Sequence, residues 1–240
     1  MAKNQVIIYG KHAVLAALAN SYRQISKLMI TKENIQDIKG KIADNKIMVV
    51  DKKEIDKQLP REATHQGFAL TAQMLDDYAI EEIIGMSNER KNCHVLILDQ
   101  VTDPQNIGAI IRSCVAFDTL ALIMQDKNAP QESGALLKAA AGTYESLPIC
   151  RVTNLSRAIE QLKKAGFWII GMDGYAKTTV DKMDKSGKNA IIMGSEGKGM
   201  RRLVEESCDV AIKLPISQNV ESLNVSTAAA IVLYEMNKKE

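Results

Sequence analysis

At 240 residues, with 46% hydrophobic content and 25% charged residues, the chain holds enough apolar material for one large or two modest domains. It has no run of 18 apolar residues and no apolar signal core near its start, which argues against a membrane span and predicts a soluble cytoplasmic protein. The net charge of +2 divides unevenly: residues 1–75 carry +5, residues 76–91 carry −3 and residues 92–240 are neutral, so a basic first third suits either a phosphate-rich partner or a plain solvated surface.

The first 75 residues alternate helical and extended patterns in short units, with helices predicted over 11–20, 33–43 and 51–58 and strands over 27–31, 46–51 and 67–72. This reads as a small α/β sandwich able to fold by itself. The acidic stretch 76–91, with Gly85, Ser87 and Asn88, reads as a linker containing about one helical turn. Longer units follow over 92–240. Strands are predicted at 95–98, 120–124, 167–171, 190–193 and 210–214, and helices at 105–117, 132–141, 155–165 and 222–236. Continuous apolar strands alternating with helices predict a parallel sheet covered on both faces.

Three stretches carry chemistry. In the first, a helix opened by Pro104 and Asn106 places Ile107, Ile110, Ile111, Cys114 and Phe117 on one face. Arg112 sits among Gly108, Ala109, Ser113 and Ala116 on the other. Small neighbours let another backbone approach, so the guanidinium suits a phosphate or carboxylate; a solvent-facing Arg on an amphipathic helix fits the same pattern. In the second, the apolar strand before Gly194 enters a loop with glycines at 194, 197 and 199 and a carboxylate at Glu196. The carboxyl end of a parallel strand is where open α/β sheets bind ligands. The loop is neither a P-loop nor a dinucleotide fingerprint. In the third, Ser217, Gln218, Asn219, Glu221, Ser222 and Asn224 lead into a helix whose only polar positions before Met236 are Ser226, Thr227 and Glu235. Such a helix must be covered on nearly every side, and its N-terminus offers free N–H groups to a polar ligand. Cys93, Cys114, Cys150 and Cys208 are scattered through apolar segments, which indicates buried small hydrophobes and no disulfide framework, zinc site or other metal site.

In this order and spacing the stretches resemble the SpoU/TrmH class of RNA ribose 2′-O-methyltransferases. The resemblance rests on Asn106-x-Gly-x-x-x-Arg112, on Met193-Gly-Ser-Glu-Gly-x-Gly-Met200, and on Leu214-Pro-Ile followed by Ser222-Leu-Asn-Val-Ser226. The motifs span 92–240, and 5–75, with Tyr9-Gly-Lys-His12 and His65-Gln-Gly67, is similar to the substrate-binding domain of these enzymes. The subgroup it looks most like methylates a guanosine of 23S ribosomal RNA. The resemblance implies a domain at 1–75 that binds RNA through an L30e-like α/β fold, a linker at 76–91, and a SPOUT domain at 92–240 with a deep trefoil knot. It further implies S-adenosylmethionine held against Gly171, Met172, Gly194, Ser195, Gly199, Leu214, Ile216 and Leu223, and a homodimer whose interface includes the final helix. It assigns catalysis to Arg112, with Asn106, Glu196, Ser222 and Asn224 orienting the nucleotide. Family members commonly have a glycine after Leu214-Pro-Ile, where this chain has Ser217-Gln-Asn219. A transfer RNA methyltransferase, and an RNA-binding member that has lost catalysis, are the alternatives.

Overall fold

A computed structural model describes residues 4–127 and 129–238. In chain order the elements are β1 (Gln5–Tyr9), α1 (Lys11–Ala19), β2 (Ile25–Ile30), β3 (Ile47–Val49), α2 (Lys52–Asp56), β4 (Phe68–Gln73), α3 (Ile80–Asn88), β5 (Cys93–Leu98), α4 (Pro104–Ala116) and β6 (Ala121–Gln125). Then come α5 (Gly134–Ala140), β7 (Ile149–Val152), α6 (Leu155–Lys164), β8 (Phe167–Met172), β9 (Thr178–Thr179), β10 (Lys188–Met193), α7 (Arg202–Glu205), β11 (Val210–Lys213) and α8 (Val225–Asn237). The chain forms two compact units, Met1–Asp76 with Pro130–Ser146, and Asp77–Ala129 with Leu147–Glu240.

The first unit is built on a sheet of order β1-β4-β2-β3, in which β4 pairs antiparallel with β1 and β2. β1 escaped the sequence reading, and the helix expected over 33–43 is a 3₁₀ stretch, Lys32–Ile38. The expected partition also changes here, because 130–146 joins this unit and not the long carboxyl-terminal one. The reason is steric and electrostatic. A methyl group built on Gly134 would lie 2.6 Å from the Ile7 carbonyl oxygen, so only a bare Cα lets α5 lie against β1. The fully buried Arg23 side chain then bridges Glu132 and Glu145, both at 2.6 Å.

The second unit carries a sheet of order β7-β6-β5-β10-β8-β11-β9, with every pairing parallel, as the apolar strands predicted. All six residues of β5 are buried. On one face Val95 and Ile97 pack with Ile169 and Ile192 under Ile83 of α3 and Ile159 and Leu162 of α6. The segment expected to be a linker is therefore in part structural: α3 runs for nine residues and anchors Ile80 and Ile83 in this core. β7, which the patterns also missed, extends the sheet beyond β6. On the other side of the sheet α4 and α8 pack against each other. Among the described residues no helix is long and apolar enough to cross a membrane.

Candidate active site

Parallel strands end on a common edge, so the turns that follow β5, β6, β10, β8 and β11 emerge side by side. All three sequence motifs meet at this edge. α4 starts there behind Asp103, whose carboxylate accepts from the Gln105 N–H at 3.0 Å. α8 starts there behind Asn224, whose Oδ1 accepts from the Ser226 N–H at 2.9 Å and the Ser226 hydroxyl at 2.6 Å. The Asn224 Nδ2 donates to Asn106 Oδ1 at 3.0 Å, tying the two helix starts together. At their far ends Phe117 and Tyr234 meet edge to face, with centroids 5.9 Å apart. The two helices therefore run parallel, and both direct the positive ends of their dipoles at the edge where the motif loops lie.

The glycine loop after β10 is folded back on itself. Ser195 and Gly199 exchange backbone hydrogen bonds at 3.1 and 2.9 Å, and Gly197 and Gly199 take φ of 79° and 66°, a region costly for other residues. A methyl group on Gly194 would sit 2.2 Å from the Gly199 carbonyl carbon, so this glycine is required by close approach of backbone to backbone. Gly171, at the end of β8, is similarly backed by the Cys208 sulfur, 2.7 Å from a built Cβ.

A pair that the sequence reading did not single out anchors the loop. Asp99 is fully buried at the end of β5, and its carboxylate accepts from the Arg201 backbone N–H at 2.7 Å and Nε at 2.8 Å, with Nη2 also at 2.7 Å. The signal available in sequence was a carboxylate directly after an apolar strand, a few residues ahead of Pro104 and Asn106.

Of the expected catalytic residues, Arg112 is exposed on α4, Glu196 is exposed in the glycine loop and Ser222 is exposed before α8. Asn106 and Asn224 are the two that touch. The reading that began the last helix at residue 222 is corrected by three residues, since Asn224 is the cap and Ser222 lies in the loop. Gly171, Met172, Gly194, Ser195 and Gly199 line the ends of β8 and β10, and half-buried Leu214 and Leu223 bracket the loop after β11, where Ile216 is 40% exposed. That loop turns at 217–220, the Val220 N–H donating to the Ser217 carbonyl at 3.2 Å. None of its residues has a positive φ, so a glycine is not needed there. Leu214, Ile216 and Leu223 thus leave partly exposed apolar surface around this loop.

A cavity of about 590 Å³ opens along the same edge, across the ends of β6, β5 and β10, and Ser195 and Glu196 form part of its wall. Another, of about 440 Å³, lies at the opposite edge around His94, Arg90 and Lys185, away from the motif loops. The cysteines offer no nucleophile: burial pushes the Cys114 and Cys150 thiols up to about 12 and the Cys208 thiol to about 11.

Comparison with known proteins agrees with this arrangement. The model of the SpoU rRNA Methylase family matches residues 94–234, and that of the RNA 2′-O ribose methyltransferase substrate-binding domain matches residues 7–78. The 23S rRNA (guanosine-2′-O-)-methyltransferase RlmB of Coxiella burnetii is 36% identical over 97% of this chain and 95% of its own length. An uncharacterised tRNA/rRNA methyltransferase of Synechocystis is 37% identical over 96% of this chain, which spans 62% of that relative. In fold, the SpoU methyltransferase AviRb of Streptomyces viridochromogenes, crystallised with its cofactor AdoMet, superposes with a TM-score of 0.82 at 19% identity, covering 98% of this chain and 89% of AviRb. With its motifs on one sheet edge and a family match over most of that unit, the chain belongs to the SpoU rRNA methylase family.

Proposed function

We propose that this protein transfers a methyl group from S-adenosylmethionine to the ribose 2′-hydroxyl of a guanosine in 23S ribosomal RNA. The observation that carries the reading is the Asn224–Asn106 bond, which brings the third motif onto the first at the edge where the glycine loop also lies. Similarity to RlmB over nearly the whole chain supports the RNA class and the guanosine.

When bound, S-adenosylmethionine supplies a methyl group activated on a sulfonium. The residues to hold it are those at the ends of β8 and β10, with Leu214, Ile216 and Leu223 against the adenosine. The chain must then position the ribose and favour loss of the 2′-hydroxyl proton. Arg112 is unsuited as a base, since a guanidinium carries hydrogen-bond donors and no acceptor. Its positive charge, free at the surface of α4, instead stabilises developing negative charge on the 2′-oxygen, while a phosphate oxygen or water takes the proton. Asn106 and Asn224, joined to each other, hold the start of α4 against α8, and Glu196 and Ser222 orient the nucleotide.

The same reading places a trefoil knot in the carboxyl-terminal segment, an L30e-like substrate-binding fold in the first unit, and the enzyme in the cytoplasm. It also includes a homodimer, supported by α8, which leaves Ile231 39% and Tyr234 52% exposed on a helix with almost no polar side. Sedimentation measures that state directly.

Arg112→Ala tests the assignment. Methyl transfer to unmodified 23S transcript should fall at least a hundredfold while calorimetric affinity for S-adenosylmethionine stays within twofold. A variant that keeps more than a tenth of the wild-type rate, a barrier change of about 1.4 kcal/mol or less, removes Arg112 from the mechanism. Failure of the wild-type protein to bind S-adenosylmethionine favours an RNA-binding protein without catalysis, and transfer to tRNA alone relocates the substrate.

A further inference from the structure

We infer that the 590 Å³ cavity across the ends of β5, β6 and β10 receives the target base itself, swung out of its stack, and that its walls select guanine. This rests on the methyltransferase reading above, and names the part of the site that chooses the nucleotide. Sequence-specific recognition of RNA targets loops and bulges whose unstacked bases are splayed out and hydrogen-bonded on their polar edges. The volume lies within the range of about 300–1,000 Å³ typical of small-molecule sites.

The lining has the division such a pocket needs. Leu98, Val101 and Met124 contribute apolar surface for the flat face of a base, and each is itself at least nine-tenths buried, so the floor is held by the core. Around it stand Gln125, Lys127 and Lys198, with Glu196 also on the wall. Guanine carries two acceptors, O6 and N7, on one edge, which cationic side chains bind best. Its other polar edge carries N1–H and N2–H₂ donors, which a carboxylate or a carboxamide oxygen accepts. Adenine places a donor where guanine has O6, so two lysines disfavour it. The Gln100 backbone, at φ 62°, holds the turn after β5 in a left-handed conformation that is uncommon for a residue with a side chain, and this turn forms part of the cavity wall. Because Glu196 also belongs to the glycine loop, base and methyl donor would occupy adjacent spaces along one edge.

The test uses the full chain with Gln125→Leu and Lys127→Met, neither of which belongs to the three motifs. Three measurements are made: S-adenosylmethionine affinity by calorimetry, methyl transfer to unmodified 23S transcript, and saturation-transfer NMR with guanosine, adenosine and uridine monophosphates. Wild-type protein should give saturation transfer to guanosine monophosphate above the other two. Each variant should lose that preference and raise KM for the transcript at least tenfold, with affinity for the methyl donor within twofold. Variants with unchanged KM and an unchanged guanosine preference overturn the assignment. If the wild type transfers no methyl group to the transcript, the functional reading fails on its own, and the nucleotide preference still decides whether the cavity is a guanine site.

Discussion

The Asp99–Arg201 pair makes a quantitative demand on the glycine loop. Asp99 has no exposed surface, whereas the Arg201 side chain is 36% exposed. Arg201→Ala removes the Nε bond at 2.8 Å and the Nη2 contact at 2.7 Å but keeps the main-chain donor at 2.7 Å. Breaking a buried ion pair by removing one partner costs about 3–5 kcal/mol. The open side of Arg201 and the surviving N–H reduce that to about 2 kcal/mol. Asp99→Ala removes all three acceptor contacts and frees the start of α7, so it should cost about 3 kcal/mol or more. Urea unfolding followed by circular dichroism measures both. The structural consequence is local, since Arg201 immediately follows the segment 194–200, so calorimetry should show at least tenfold weaker binding of S-adenosylmethionine to Arg201→Ala. Loss of under 0.5 kcal/mol in both variants, with unchanged donor affinity, would refute the idea that this pair holds the loop.

Other consequences follow from single contacts. Asn224→Ala removes the α8 cap and the bond to Asn106, and should cost about 1–2 kcal/mol in unfolding experiments. Asn224→Ser retains a capping oxygen while losing the Asn106 contact, so it should recover most stability but not the rate of methyl transfer. Gly194→Ala forces a methyl group into the Gly199 and Met200 backbone; the folded protein should survive with donor binding abolished, and wild-type affinity would show that the loop has room to open. His94 is buried against Thr119, and desolvation lowers its pKa from 6.5 to about 4. Because the unfolded chain takes up that proton first, the stabilising contribution is full above pH 6.5 and is lost as pH falls toward 4, by at most about 3 kcal/mol. A His94→Gln variant should show a flatter melting temperature between pH 6.5 and 4.5; an unchanged slope would remove His94 as its source.

Periodicity and local chemistry were enough to read the parallel sheet from the apolar strands, the helices α4, α6 and α8, and the three loops that reach one edge. These depend on neighbours within a few residues, and strand alternation or helical spacing records them in order along the chain. The family resemblance added roles for Arg112, Asn106, Glu196, Ser222 and Asn224. What the patterns could not supply are pairings between distant residues. Asp99 finds Arg201 across about a hundred positions, and Asn106 finds Asn224 across 118. Gly134 lets 130–146 leave the sheet it follows in sequence and join the first unit, with Arg23 between two glutamates. β1 and β7 also went unread, although β11, no longer than either, was read. The cavity, too, is formed by the ends of three strands far apart in the chain, and its shape exists only once the sheet has put β6, β5 and β10 side by side. Residue types along the chain thus determined which chemistry is present, while tertiary packing decided which groups meet, because burial and close approach are properties of neighbours in space.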